Sequence, residues 1–313
     1  MKILVAGGHG FLGRHLCAHL AAAGGRDVDV IPLSRRDGFD LTRPATIHPI
    51  LRDLQPDTIF NCAAHGGSVH YVAEFAADVI HDNIQMALNL YRATHAECPA
   101  ATIVNPLSNC SYPADADIQR EPEWWNGPVH PTVMSYGNSR RVIYVIAACY
   151  AIQYRLRSVN FLVPNCYGPG DSTDPNRTHA LNGMIIRLLL AQRAGEREFE
   201  IWGTGAPIRE WGYVADMARV LHAGLSLDVD LTYPVNVGQA HGYSIRESAE
   251  IIADEIGFEG RLVFNPKYAD GARRKVLDNG RFRELFPEFR FTDHREGIRS
   301  TIAYYREVLW REP

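Results

Sequence analysis

The chain has 313 residues, 46% hydrophobic and 22% charged, a composition typical of a globular protein with one large domain or two smaller ones. Its 32 lysines and arginines against 36 aspartates and glutamates leave a formal charge of −4, which argues against a dedicated binder of nucleic acid or of anionic membranes. The longest apolar run, residues 142–152, is too short to span a bilayer, and six scattered cysteines without a signal-peptide pattern favour reduced thiols in a cytoplasmic protein.

The first half of the chain alternates predicted strands with predicted helices. Strands are predicted at 3–6, 28–33, 58–62, 101–105 and 158–162. Helices are predicted at 11–23, 46–54, 83–95 and 139–154. This alternation indicates βαβ units, so the sequence predicts an α/β fold of Rossmann type, with a doubly wound parallel sheet.

Beyond Pro164 the pattern becomes less regular. Helices are predicted at about 181–193, 214–226, 245–256 and 294–308, and short strands near 200–202, 234–237 and 262–264. We expect a dinucleotide-binding domain formed by 1–165 and about 210–243. A smaller C-terminal substrate domain would be formed by about 166–209 and 244–313.

A glycine-rich turn lies between the first predicted strand and the first helix. Gly7, Gly10 and Gly13 give the pattern G-x-x-G-x-x-G, which lets the backbone approach a pyrophosphate. The following helix begins with Phe11 and Leu12, and its N-terminus offers free N–H groups to an anion. We therefore expect these five residues to bind a dinucleotide.

Two arginines, Arg35 and Arg36, follow the second predicted strand. An acidic residue there would bind a ribose 2′-hydroxyl, whereas arginine accommodates a 2′-phosphate, so the pair favours NADP(H) over NAD. The alternative is that both are solvated loop charges. Asp40 and Leu41 come next and could lie against the adenine.

His15 and His19 are four residues apart on the first predicted helix, a spacing that metal ligands use. No carboxylate or cysteine completes a ligand set, so we predict no metal site and a solvated helix face.

Four polar residues, Ser108, Cys110, Tyr136 and Arg140, fall at the end of the fourth predicted strand and the start of the next long helix. Tyr136 and Arg140 are four residues apart and so share a helix face. A tyrosine that passes a proton to a carbonyl oxygen needs a nearby cation, because a phenol is ordinarily a very weak acid. A serine hydroxyl can hold the same oxygen.

These residues resemble the extended short-chain dehydrogenase/reductase family, whose pattern is a serine or threonine followed by Tyr-x-x-x-Lys. Here Arg140 occupies the lysine position. The departure has two interpretations: arginine keeps the charge and the redox step, or its bulkier fork reflects a lost or redirected step. Only three lysines occur among the 32 basic residues, so replacement driven by composition is plausible.

Within that family the chain is most similar to the GDP-L-fucose synthase group, over nearly its whole length. The segments that carry this resemblance are 107–113 (LSNCSYP), 125–127 (WNG), 165–169 (NCYGP), 174–179 (DPNRTH), 202–210 (WGTGAPIRE) and 269–275 (ADGARRK).

The resemblance implies an NADP-dependent epimerase/reductase that acts on a GDP-4-keto-6-deoxy sugar. It implies Cys110 as the base and His179 as the acid that epimerise carbons beside a ketone. The sugar nucleotide would be held by Asn165, Arg187, Trp202, Arg209 and Lys275. The cofactor would also lie against Asn165, Ala63, Ala64 and His65, the last standing where the family often has lysine.

Three further expectations remain open at this point. The enzyme could be a C4-reductase only, or a cofactor-recycling epimerase or dehydratase on a related nucleotide sugar such as a heptose. It could also be a nucleotide-sensing protein that has lost turnover. The resemblance further implies a homodimer in which helices 83–95 and 139–154 pair across a two-fold axis into a four-helix bundle.

Overall fold

The computed structural model describes residues 1–174, 177–227, 230–268 and 270–310. Pro175 and Asn176 of the segment 174–179, and Ala269 of the segment 269–275, lie outside the described residues, as do 228–229 and 311–313 of the expected domains.

The described strands and helices follow the predicted alternation closely. The strands are β1 (Lys2–Ala6), β2 (Asp29–Leu33), β3 (Thr58–Asn61), β4 (Thr102–Ser108), β5 (Ser158–Val163), β6 (Asn165–Tyr167), β7 (Glu198–Trp202), β8 (Ile208–Arg209), β9 (Trp211–Tyr213), β10 (Val235–Asn236), β11 (Tyr243–Ser244), β12 (Arg261–Asn265) and β13 (Arg274–Lys275). The helices are α1 (Phe11–Ala23), α2 (Pro44–Leu54), α3 (Val69–Glu74), α4 (Ala76–Glu97), α5 (Met134–Tyr154), α6 (Ala180–Ala194), α7 (Val214–Ala223), α8 (Ile245–Ile256), α9 (Gly280–Leu285) and α10 (His294–Trp310).

A six-stranded sheet in the order β10-β5-β4-β3-β1-β2 forms the centre of the molecule, and every neighbouring pair in it is parallel. The predicted doubly wound Rossmann-type sheet is therefore confirmed. From β1 the chain turns to one side for β2 and then to the other side for β3. In such sheets ligands bind in the crevice at the carboxyl ends of the two strands where the order reverses.

Helices cover both faces of this sheet because its strands are apolar on both sides. Along β1, Ile3 and Val5 belong to the core beneath α1 and α7, whereas Leu4 and Ala6 belong to the core beneath α2, α4 and α5. This division follows from the alternation of side chains along a strand.

The remaining elements form a third core. It is built from α6, α8 and α10 with β7 and β12, and includes Leu181, Ile185, Phe199, Ile252 and Ile298. Between these elements the chain returns to the central sheet, where α7 packs on α1 and β10 pairs with β5. We therefore propose that the chain forms two domains and that the residues at about 210–243 return to the first of them.

Several predicted boundaries differ from the structure, and helix α4 begins at Ala76 rather than at 83. Helix α5 begins at Met134 rather than 139, which places Tyr136 inside it despite Gly137 and Asn138, two weak helix formers. Strand β4 continues through Pro106 to Ser108. On its β3 side the ladder ends at Val104, so no neighbour there needs the N–H that proline lacks. The sequence did not predict α3. Among the described residues, no helix is long and apolar enough to cross a membrane.

Candidate functional site

The glycine turn is pressed between the ends of β2 and β3. Gly7 has a φ of +76°, and a Cβ there would lie 2.7 Å from the backbone nitrogen of Ala63. A Cβ on Gly13 would lie 2.2 Å from the carbonyl oxygen of Gly7. Gly10 is the N-cap of α1 and no side chain caps it. The turn therefore has room only for backbone, and it leaves the first N–H groups of α1 free for an anion.

The segment after β2 also carries an acidic side chain, Asp37, that the sequence pattern did not assign. Arg35 and Arg36 are exposed, and the next residue, Asp37, caps this turn by accepting hydrogen bonds from Ser34. His9, from the glycine turn, lies 3.0 Å from the Asp37 carboxylate. Burial opposes the shift, but the Ser34 hydrogen bonds and the charges of His9 and Arg36 lower the pKa of Asp37. The acidic residue is thus occupied, while both arginines remain exposed beside it.

The other expected cofactor residues lie in different surroundings. Leu41 is buried in the core, and Asp40 accepts two hydrogen bonds from Thr42 within its own turn. After β3, Ala63 faces Gly7 and Ala64 is exposed.

His65 is held from both sides of its ring. One ring nitrogen lies 2.8 Å from Asp82 Oδ2 and the other 2.9 Å from the Tyr71 hydroxyl. Its backbone N–H and C=O both bond to the side chain of Asn83. The loop between β3 and α3 is therefore held in place by side chains of α3 and α4.

Arg140 is buried, with 3% of its surface exposed, and lies over the ring of Tyr136, its guanidinium carbon 4.4 Å from the ring centroid. Its Nη2 donates a hydrogen bond of 2.5 Å to Asn83 Oδ1. Gly66 faces the same ring, where a Cβ would lie 3.2 Å from Tyr136 Cε2. The predicted neighbours Tyr136 and Arg140 are thus brought together, and Asn83 is a partner that no sequence pattern indicated.

Cys110 lies in a cluster of positive groups. Lys275 Nζ is 3.7 Å from Cys110 Sγ and donates to it. Burial lowers the pKa of Arg209, which the charges of Cys110 and Asp270 oppose. The pKa of His130 is lowered by partial burial and then by the positive charges of Lys275 and Arg209. The structure thus brings together three of the predicted site residues and adds His130.

Ser108 ends β4 beside this cluster. Its hydroxyl oxygen accepts a hydrogen bond of 3.2 Å from the backbone N–H of Cys110. That bond occupies an acceptor position, so the hydroxyl proton of Ser108 remains available to a ligand oxygen.

His179 is the N-cap residue of α6 and is anchored by Asp171. Asp171 Oδ2 accepts hydrogen bonds from the backbone N–H of His179 at 2.8 Å, from its Nδ1 at 2.9 Å and from Asn182 Nδ2 at 2.8 Å. Burial opposes the shift, but these bonds and the charge of His179 lower the pKa of Asp171. The anchoring fixes the Nδ1 proton toward Asp171 and leaves Nε2 for proton transfer. The ring of Phe11 lies 5.2 Å from that of His179.

The other expected substrate residues lie on the third core or at its edge. Arg187 Nη2 donates to the carbonyl oxygen of Glu200 at 2.7 Å. Trp202, half exposed, stacks on Tyr268 with ring centroids 4.5 Å apart. Asn165 begins β6, which pairs with β9. Their roles stay predictions.

The two histidines with metal-ligand spacing have separate partners. His15 bonds to the carbonyl oxygen of Pro169 at 2.7 Å, and His19 bonds to His222 at 3.0 Å. Within the described ranges, no group of three His, Cys, Asp or Glu side chains is placed to hold a metal.

Comparison with known proteins finds relatives of similar length to this chain. The NAD dependent epimerase/dehydratase family model matches residues 3–238. The chain is 30% identical to the "Probable GDP-L-fucose synthase 1" of Oryza sativa subsp. japonica, over 98% of this chain and 92% of the rice protein. In fold it is similar to a GDP-L-fucose synthetase from Naegleria fowleri bound to NADP, with a TM-score of 0.88, 24% identity and coverage of 99% and 95%. It is also similar to a GDP-mannoheptose C4 reductase from Campylobacter jejuni with NADP bound, with a TM-score of 0.85, 21% identity and coverage of 97% and 98%.

We expect Asp171→Asn to lower the free energy of unfolding at pH 7 by about 1.5–3 kcal/mol, the range for hydrogen bonds to a charged group. The folded-state pKa of Asp171 lies below its ordinary value of 3.8, so its contribution is present above that value and is lost as the pH falls through the folded-state pKa. Urea denaturation between pH 7 and pH 3 should show the difference from wild type shrinking below pH 4.

The control is Asp254→Asn, which removes an exposed partner of Arg295 and should change stability by less than about 1 kcal/mol. A difference for Asp171→Asn that stays constant across the whole pH range would contradict the charge-based anchoring of His179.

Proposed function

We propose that this chain, which belongs to the NAD-dependent epimerase/dehydratase family, is an NADP-dependent epimerase/reductase of a GDP-linked 4-keto-6-deoxy sugar. The observation that carries the proposal is the contact between Lys275 and Cys110, which gives the site a thiol beside a cation. His179, anchored by Asp171, supplies a second proton-transfer group. A simple carbonyl reductase has no need of this pair. The 30% identity to a protein named as a GDP-L-fucose synthase supports the same activity.

The residues present fit NADP(H). A Cβ at Gly7 or Gly13 would clash with neighbouring backbone, so the turn stays close to the end of β3, and the free amides of α1 suit a pyrophosphate. Arg35, whose side chain is exposed, would hold the 2′-phosphate. Bound NADPH supplies a hydride for carbonyl reduction.

In the reductive half of the reaction, Tyr136 gives its hydroxyl proton to the carbonyl oxygen at C4. Ser108 donates its hydroxyl proton in a hydrogen bond to the same oxygen, while its own oxygen accepts from the N–H of Cys110. Arg140, over the ring of Tyr136, stabilises the phenolate that remains.

In the epimerising half, the Cys110 thiolate removes the proton from a carbon beside the ketone. The C–H bond breaks, an S–H bond forms, and the electron pair passes to the carbonyl oxygen, where Ser108 and Tyr136 hold it. Protonated His179 then gives its Nε2 proton to the carbon from the other face. Lys275 Nζ, 3.7 Å from the sulfur, is the cation beside the thiol in this step.

A C4-reductase without epimerase activity is the second candidate, raised by the similarity in fold to a GDP-mannoheptose C4 reductase from Campylobacter jejuni. The neighbouring Lys275–Cys110 and Asp171–His179 contacts favour the full reaction, because neither is needed to reduce a ketone.

We propose a homodimer, because exposed apolar residues form a stripe on α4 and α5. On α5, Val145, Cys149 and Ile152 follow one another at helical spacing and are exposed, Ile152 by 77%, and Leu88 of α4 is exposed by 44%. An apolar stripe of this kind on two adjacent helices suits a second copy of the chain. We also propose a cytoplasmic location, since all six cysteines are free thiols and Cys110 must stay reduced to act.

The two halves of the reaction should separate by mutation. Cys110→Ser should abolish deuterium uptake at the carbons flanking the ketone, because the base is lost. Tyr136→Phe should cut reduction by roughly 10²–10⁴-fold, the range for a positioned acid, and leave deuterium exchange largely intact. The measurement is product NMR after incubation with GDP-4-keto-6-deoxy-mannose in deuterated water, with and without NADPH. Full exchange by Cys110→Ser would mean that the protein is a reductase only.

Arg140→Lys should lower the rate of reduction by about ten-fold or more, because a lysine cannot both reach Asn83 and lie over the ring of Tyr136. Arg140→Met, which also removes the charge, should lower it further. Stopped-flow NADPH oxidation measures both. A faster rate in Arg140→Lys would show that arginine is a tolerated replacement and that the pocket still suits lysine.

Arg35→Ala should weaken NADPH binding by about 10- to 100-fold and leave NADH binding nearly unchanged, since only NADPH carries the phosphate. Fluorescence titration of both cofactors gives the two dissociation constants. Arg52→Ala, which removes an exposed arginine paired with Glu97, is the matched control and should change neither. Equal weakening of both cofactors would refute the role of Arg35.

Val145→Glu should convert the dimer into a monomer at micromolar concentration, since it places a charge in the centre of the apolar stripe. Leu190→Glu on α6, at a site of similar exposure, is the control and should leave the mass unchanged. Light scattering gives both masses. A monomeric wild-type protein would refute the homodimer.

A further inference from the structure

Glu210 is a buried carboxylate between β8 and β9, with 1% of its surface exposed. Oε1 accepts a hydrogen bond of 2.5 Å from the backbone N–H of Gln239, and Oε2 accepts one of 2.7 Å from that of Leu277. The N–H of Ala240 also bonds to the carboxylate. A Cβ on Gly238 would lie 2.6 Å from Oε1, so this turn packs directly on the carboxylate. Glu210 thus joins three separate stretches of backbone.

One of these stretches carries Lys275. The backbone N–H of Glu210 donates to the carbonyl oxygen of Lys275 at 2.9 Å, and its side chain binds Leu277 two residues later. Lys275 also pairs in register with Arg209, the residue before Glu210. A single residue therefore holds the chain at Lys275 and just beyond it. Lys275 Nζ is the group that donates to Cys110 Sγ.

We propose that Glu210 is a positioning residue that holds Lys275 against Cys110 by binding the backbone around it. The proposal rests on the function proposed above only in what the Cys110 thiolate is used for, since the contacts themselves are independent of the substrate.

Ionisation of the Glu210 carboxyl is costly because the side chain is buried. Burial raises the pKa of Glu210 to about 7, although the backbone N–H groups and the charge of Arg274 act against the shift. Because the folded-state pKa is raised, ionising Glu210 costs folding stability as the pH rises from about 4.5 to 7. Arg274 is the charged side chain that acts on it, and His241 and Asp278 flank the turn and the segment that it binds.

Glu210→Gln separates the contacts. The amide oxygen can still accept from Gln239 and Ala240, but the amide NH₂ then faces the N–H of Leu277, where donor meets donor. The backbone bond from Glu210 to Lys275 remains, so the segment loses one of its two bonds to Glu210 and Lys275 is held less firmly against Cys110. We expect alkylation of Cys110 by iodoacetamide at pH 7.5 to slow by about three-fold or more, because Lys275 is displaced from the sulfur that reacts. Mass spectrometry of the separate peptides follows each cysteine, and Cys149, whose surroundings on the α5 stripe are the same in both proteins, is the internal reference, with an unchanged rate.

A double-mutant cycle tests whether Glu210 acts through Lys275. Lys275→Met should slow Cys110 alkylation as Glu210→Gln does, and adding Glu210→Gln to Lys275→Met should change the rate by less than about two-fold. Asp216→Asn is the matched control, because Asp216 is another buried carboxylate that accepts a backbone N–H, from Thr292, and it should leave Cys110 alkylation unchanged. Equal slowing by Glu210→Gln in both backgrounds, or none in either, would overturn the proposal.

A wild-type measurement keeps the proposal testable if Glu210→Gln fails to fold. Hydrogen exchange at the amides of Gln239 and Leu277 should quicken between pH 8 and pH 6 relative to the amides of Ile103 and Asn160, which donate to backbone carbonyl oxygens. A constant ratio would overturn the proposal. None of these measurements uses a sugar nucleotide, so a failed positioning role and a failed epimerase/reductase assignment give different results.

Discussion

The close approach of Gly7 to Ala63 is the constraint on which the rest of the site depends. It occurs where the strand order reverses between β1 and β3, and it brings the turn before α1 against the end of β3. The apolar residues on both faces of β1 fix the sheet between two helical layers, so the turn cannot move away from Ala63 without disturbing both cores. The turn therefore gives the site a fixed edge.

Three of the predicted site residues are each contacted by a second side chain. Asn83 holds Arg140, Asp171 holds His179, and Lys275 approaches Cys110. Asn83 and Lys275 come from other elements than the residues they contact, whereas Asp171 and His179 lie in the same connection between β6 and α6. The geometry of these residues therefore depends on hydrogen bonds between side chains.

The sequence was sufficient for the fold and for the family. Alternating strands and helices predicted the parallel sheet, which the structure confirms, and the segments from 107 to 275 indicated a family that the comparisons confirm. The holders Asn83 and Asp171 could not be predicted, because each lies in a segment whose pattern indicates only a helix or a loop. Asp37 was visible beside the arginines, but its bond to His9 depends on how two turns meet. The roles of the site residues stay predictions.

The contact between the rings of Phe11 and His179 has a consequence for the order of events in the site. Phe11 is the first residue of the helix whose N-terminus faces the glycine turn, so a molecule seated on that turn lies one aromatic ring away from the imidazole. A side chain in such contact cannot change its packing without its neighbour adjusting. A ligand that displaced the ring of Phe11 on binding to the turn would therefore also shift the imidazole of His179.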